Sequence, residues 1–286
     1  MTKRDKDINR DFDYFKNRED NISIFIGAYG SGKSEVSVNT AMLLAEMNRI
    51  ANTDDLDDEV KQNTSDQGQK ISMESDIQAN DISKKSSNDT NRKTTKEIIL
   101  ADLDVVNPFF RSLDAKKLLN EHGVRVISSL FANTNSEVAS VPHEVMAVFD
   151  NRDIHAILDI GGDDLGARIV SSLKSRIVAS PYSIYMVINT NRPFTGTKDK
   201  IIKTIEDLTS ASGFQITALI NNTNLLEDTA VEDLLESNIL IKEVSEITGI
   251  PFAFCAGMDD LYPESWGNVA PDGVGFMRLE RSIYYG

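Results

Sequence analysis

Between residues 27 and 34 the chain reads Gly27-Ala28-Tyr29-Gly30-Ser31-Gly32-Lys33-Ser34, glycines at short intervals followed by a lysine and a hydroxyl. Glycines so placed let backbone N–H groups turn inward around an anion, where side chains would collide. The match to G-x-x-x-x-G-K-[ST] is complete and predicts a phosphate cradle. Lys33 then reaches the β- and γ-phosphates of a nucleotide, and the Ser34 hydroxyl ligates Mg²⁺. Tyr29, Ser31 and Glu35 lie within or beside this run, so they join Gly27, Gly30, Gly32, Lys33 and Ser34 as candidate nucleotide contacts.

Two further groups carry acids. Asp102 and Asp104 occupy alternate positions of one apolar run, so they face the same side of a strand, close to the phosphate loop if that strand neighbours the first. One can assist Mg²⁺ and the other orient an attacking water; the plainer reading is an acidic strand end with Asn107-Pro108 as a turn. Asp159-Ile160-Gly161-Gly162 fits D-x-x-G, in which the acid holds a Mg²⁺-bound water and the Gly162 amide faces the γ-phosphate. Such an aspartate can also simply cap the next helix. No glutamate follows Asp159, which disfavours the large group of ATPases with a catalytic Glu beside the Mg²⁺ acid. The candidate catalytic residues are Lys33 and Asp104, and the candidate metal ligands Ser34, Asp102 and Asp159.

These residues need elements to hold them. Ile22 to Ile26 reads as a buried strand, and the stretch from about Ser34 to Ile50 carries helical apolar spacing. The strand–loop–helix order is the context a phosphate loop requires. Residues 1–20 read as a loose polar arm, and residues 51–95, rich in Asp, Ser, Asn and Gln without an aromatic, as a disordered acidic insertion. Downstream, apolar runs near 97–104, 124–128, 155–162, 183–189, 215–220 and 251–255 alternate with helical stretches. The last of these helices, Val231 to Thr248, is stopped by Gly249. The pattern predicts an α/β fold: a three-layer P-loop NTPase arrangement, one domain over residues 21–286, with a mostly parallel sheet covered by helices on both faces. Residues 259–286 carry no clear assignment. Ligands of such sheets sit beyond the carboxyl ends of the strands, where the acids and asparagines fall.

Bulk composition narrows the classes. A net charge of −15 and a pI near 4.7 disfavour nonspecific binding to nucleic acid or anionic membrane. The lone Cys255 excludes an internal disulfide framework or a multi-cysteine metal site within one chain. No apolar run reaches the length of a membrane span, and the polar start lacks a secretory core, so the expected location is cytoplasmic.

The order of motifs (Gly27 to Ser34, Asp102-x-Asp104, Asp159-x-x-Gly162, and Asn222 after a later strand) resembles the MinD/ParA class of P-loop ATPases within the SIMIBI group. That class also holds the nitrogenase iron protein, dethiobiotin synthetase and the CobQ/CobB proteins. The likeness spans residues 21–256 without the insertion. It implies that the acid at Asp104 assists the attacking water, that Asp159 supports Mg²⁺, and that Asn222, with Asn221 as rival, holds adenine. ATP is favoured over GTP because no N-K-x-D guanine motif is present. Two departures matter. Ala28 stands where partitioning ATPases carry a second lysine reaching across a dimer, so a homodimer of that lysine-dependent kind is in doubt. A cluster like that of the iron protein needs two cysteines per subunit. The reading is a Mg²⁺-dependent, slow ATPase acting as a switch for a protein partner. The alternatives are a small-molecule kinase or ligase with an acceptor near Asn107, Arg111 and Asn133, and a regulator that binds nucleotide without hydrolysis.

Overall fold

The computed structural model describes residues 9, 11–66, 96–104, 113–128, 143–162 and 164–281. The first apolar run forms β1 (Ile22–Ile26), with every residue buried. It is followed by β2 (Glu97–Leu103), β3 (Val124–Ser128), β4 (Ile154–Ile160), β5 (Tyr182–Ile188), β6 (Ala218–Asn221), β7 (Phe252–Met258) and β8 (Phe276–Leu279). These strands make one sheet in the order β3-β2-β4-β1-β5-β6-β7-β8, with every neighbouring pair parallel.

Parallel neighbours need long crossovers. Helices supply most of them: α1 (Lys33–Asp66), α2 (Leu113–Glu121), α3 (His143–Val148), α4 (Asp164–Ser172), α5 (Lys174–Ile177), α6 (Lys198–Ser212) and α7 (Val231–Thr248). Side chains alternate across each strand, so one chain segment serves two cores. Ile22, Ile24 and Ile26 pack with Val170 of α4, Ile201 of α6 and Ile241 of α7 on one face. Phe25, Leu100 and Tyr185 meet Val36 and Ala41 of α1 and Leu119 of α2 on the other. The expected α/β architecture with helices on both faces is what the chain adopts.

Four local expectations need correction. First, Asp102 would flank the phosphate loop only if its strand neighboured β1, but β4 lies between β1 and β2. The wholly buried β4 takes the central position, and β2 lies one strand further out. Second, α1 does not end near Ile50 but continues to Asp66, so residues 51–66 of the predicted insertion are helical. No Gly or Pro interrupts them, and extending an existing helix costs far less than starting one. Residues 67–95 lie outside the described residues. Third, residues 11–20 are not a loose arm. Phe12 and Phe15 are buried, and Phe12 meets Phe254 edge-on at 5.2 Å. Large aromatic area outweighs the entropy that fraying would return. Fourth, the unassigned C-terminal region supplies β8, whose four residues are all buried.

Candidate phosphate site at the carboxyl ends of the strands

The loop leaves β1 at Gly27, and α1 begins at Lys33. Three glycines shape it with positive φ: Gly27 (+151°), Gly30 (+74°) and Gly32 (+81°). The Ser31 N–H donates to the Ala28 carbonyl at 3.2 Å, closing a turn with Gly30 at its third position. Lys33 is buried, and its Nζ lies 3.4 Å from the same Ala28 carbonyl. The first N–H groups of a helix have no partner within it, so the start of α1 at Lys33 offers donors and positive potential to an anion held by the loop.

The adjacent β4 brings its acid to this point. Phe25 of β1 and Asp102 of β2 both stand in register with Asp159, on opposite sides of β4. Asp159 is fully buried, and neither carboxylate oxygen has a formed hydrogen bond among the described residues. Burial, followed by the Asp102 carboxylate, pushes its pKa up to about 7. The Ser34 hydroxyl and the Lys33 ammonium oppose that rise, and Asp104 adds to it. Ser34 thus stands close to Asp159 without the geometry of a formed hydrogen bond. Asp104 follows the end of β2, where its N–H donates to Asp102 Oδ1 at 3.1 Å. The three acids therefore do converge, although through β4 rather than by β2 touching the loop.

Gly162 closes the arrangement. A Cβ there would stand 2.8 Å from the Tyr29 nitrogen and 2.9 Å from Lys33 Nζ, so the D-x-x-G segment lies directly against the loop. Tyr29 itself projects into solvent, 71% exposed. Glu35, in the first turn of α1, is buried.

The two candidate asparagines separate cleanly. Asn221 faces α7, where its Nδ2 donates to Ser237 Oγ and Asn238 Oδ1, both at 2.7 Å. Asn222 turns the other way, and its Nδ2 donates to the Ser31 carbonyl at 2.9 Å. Beside it opens a cavity of about 470 Å³ whose lining includes Glu35, Asn222, Leu225, Met258, Leu261 and Arg281. Sequence reasoning missed the hydrophobic members of that wall. The available signal was their position just after the carboxyl ends of β6 and β7. Asn107, Arg111 and Asn133 lie outside the described residues.

The residues present suit a magnesium–phosphate group. A buried carboxylate without a partner, a serine hydroxyl beside it and a buried lysine match Mg²⁺, which uses one or two protein ligands and completes its shell with water and phosphate oxygens. Among the described residues no group of three His, Cys, Asp or Glu forms a closed metal cage. Cys255 is fully buried, with its pKa pushed up to about 12 mainly by that burial, as expected for a structural thiol.

No protein-family model matches the chain, and no curated protein matches it in sequence. Among solved structures it is similar to the signal recognition particle receptor FtsY from Elizabethkingia anophelis, at 15% identity and a TM-score of 0.44 over 86% of this chain and 61% of that one. It is also similar to the 54 kDa signal recognition particle protein from Aeropyrum pernix K1 in complex with GDP, at 12% identity and a TM-score of 0.41 over 84% and 42%. A third is a nucleotide-binding protein in complex with ADP from Archaeoglobus fulgidus, at 11% identity and a TM-score of 0.32 over 73% and 69%. The chain spans 61% and 42% of the first two. Likeness this distant carries no conclusion about activity. The parallel sheet and the glycine loop leading into α1 define a P-loop NTPase-like fold.

Proposed function

We propose that the chain is a Mg²⁺-dependent ATP-binding protein and a slow ATPase, acting as a nucleotide-controlled switch for a protein partner. One observation carries the reading: the buried, unpartnered Asp159 carboxylate stands against a complete phosphate loop, with Lys33 and Gly162 beside it. A buried charge is costly without a partner, and a phosphate-bound cation is the partner this loop would bring. Ser34 and Asp159 would hold the ion, Lys33 would take the β- and γ-phosphate charge, and Asp104 would position the attacking water. When bound, the ion would supply charge neutralisation to the phosphates. The cavity beside Asn222 is of a size to take the nucleoside, and the missing N-K-x-D motif favours adenine.

Calorimetric titration with Mg-ATP, Mg-ADP and Mg-GTP tests this. Wild type is expected to bind ATP more tightly than GTP. Lys33→Ala is expected to bind at least about tenfold more weakly, the loss of one charged hydrogen-bond donor. Equal affinity for the two proteins would overturn nucleotide binding at the loop. Equal or tighter binding of GTP would overturn the base assignment. Asp104→Asn is expected to abolish turnover with binding retained; unchanged turnover would remove Asp104 from the chemistry.

A further inference from the structure

The segment after β5 reaches the phosphate loop through one side chain. Arg192 Nε donates to the Gly30 carbonyl at 2.9 Å. A Cβ on Gly30 would stand 3.1 Å from Nε and 3.4 Å from Cζ, so the guanidinium packs directly over the glycine. On the next peptide Asn222 holds the Ser31 carbonyl in the same manner. Two successive loop carbonyls are therefore tied outward, one from behind β5 and one from behind β6.

Those two segments form one block. The Thr190 N–H donates to Thr223 Oγ1 at 3.0 Å, Asn189 Nδ2 to the Asn224 carbonyl at 3.0 Å, and Thr195 Oγ1 to the Asn189 carbonyl at 2.6 Å. Arg192 thus extends from a braced platform. In a planar trans peptide the carbonyl and the following N–H point in opposite directions. Holding the Gly30 carbonyl keeps the Ser31 N–H on the Ala28 carbonyl, so the turn stays closed, and holding the Ser31 carbonyl sets the Gly32 N–H toward the hollow. Gly30 is the residue most able to rotate away, because its φ of +74° is one of several that glycine adopts freely.

We propose that Arg192 is a positioning residue for the phosphate loop. It fixes the Gly30 peptide through Nε, so that the loop amides are preset for phosphate, and it does not itself pair with the phosphates. The inference rests on the nucleotide reading above and goes beyond it, since it assigns the preset shape of the loop to a side chain outside the motif.

The test compares Arg192→Gln, whose Nε2 falls near the position of the lost Nε, with Arg192→Met, which has similar length and no donor. Affinities for Mg-ATP and Mg-ADP are measured by calorimetry alongside wild type and Lys33→Ala. Arg192→Met is expected to weaken both nucleotides alike, about tenfold, while Arg192→Gln stays within about twofold of wild type. Amide hydrogen exchange at residues 30–32 in the free protein is expected to quicken in the Met variant alone. Equal losses in Gln and Met would show that the charge matters and overturn positioning, as would a loss confined to ATP. Unchanged affinity in Met would also overturn it. If wild type binds neither nucleotide, the functional reading fails and takes the proposal with it. If wild type binds and Lys33→Ala does not, the Arg192 outcomes stand on their own.

Discussion

A methyl group at position 162 would collide with the Tyr29 nitrogen, which cannot move without shifting the phosphate-loop backbone, and would displace the flexible end of Lys33. Gly162→Ala is therefore expected to lower Mg-ATP affinity by more than about tenfold. The thermal midpoint of the free protein should fall as well, because the Tyr29 backbone must shift before any nucleotide arrives. A calorimetric titration showing wild-type affinity would remove this glycine from the site. The D-x-x-G spacing makes Gly162 legible in the sequence, since the motif itself states the contact. His155, at the opposite end of β4, is legible there only as a strand residue. It is buried beside Ser23, 2.9 Å from the hydroxyl, and burial and then Lys96 lower its pKa to about 4, against an opposing pull from Asp20. The unfolded chain, with its histidine near 6.5, binds more protons than the native one between about 6.5 and 4. Stability is thus lost as pH falls through that window, by about 3 kcal/mol from this group. Urea unfolding of wild type and His155→Gln at pH 7 and pH 4.5 checks the sign. The variant should lose less on acidification, and parallel losses would refute the assignment.

At the scale of elements, the ends of the strands decide which polar residues serve the site. Asn221 and Asn222 are neighbours, yet strand alternation sends one to α7 and the other to the phosphate loop. Sequence alone left both open, because a shift of one residue in the end of β6 would exchange their roles. The segment between β7 and β8 depends on a single buried cation. Arg278 donates to the carbonyls of Gly267 (2.9 Å) and Pro263 (2.6 Å) and pairs with Asp259 at 2.8 Å. Its guanidinium adds to the short 3-10 turns of this stretch, in which the Trp266 N–H donates to the Pro263 carbonyl at 3.1 Å. Arg278→Met is expected to cost about 3 kcal/mol in urea unfolding, since it strands several buried acceptors at once. A loss under about 1 kcal/mol would mean that water satisfies those carbonyls instead. The same segment starts from Met258 at the end of β7 and carries Leu261, both in the cavity wall, so Arg278→Met should also weaken nucleotide binding.

Across the whole molecule, the helices do not cover both faces of the sheet alone. On the α1 side, the aromatic residues of the N-terminal segment continue the layer over β5 and β7. Tyr14 lies 5.1 Å from Phe254, and Phe15 lies 6.1 Å from Tyr185. Arg18 stacks over Tyr14 at 5.0 Å and donates to Ser183 Oγ at 3.0 Å, fastening the segment to β5. Phe12→Ala is expected to destabilise the protein by about 3 kcal/mol in thermal or urea unfolding. Mg-ATP affinity should be preserved, because Phe12 contacts the core rather than the phosphate loop. Stability equal to wild type would restore the reading of a loose arm. Among the described residues no helix is long and apolar enough to cross a membrane.

By itself the sequence determined the local chemistry: a glycine loop with its lysine and serine, three acids at strand ends, and alternating strands and helices that point to a mostly parallel layered sheet. Those features are set by spacing over a few residues, which a linear chain records directly. Tertiary structure alone decided what depends on strand order and side-chain direction. It placed β4 between β1 and β2, so Asp159 rather than Asp102 stands at the loop. It buried Asp159 with no formed hydrogen bond to its carboxylate among the described residues, turned Asn222 toward Ser31, and brought Arg192 from 162 residues away onto Gly30. Contacts between distant segments follow from how the cores on the two faces of the sheet pack. No local pattern in the chain specifies that packing, so the cradle could be read from its motif while its supports could not.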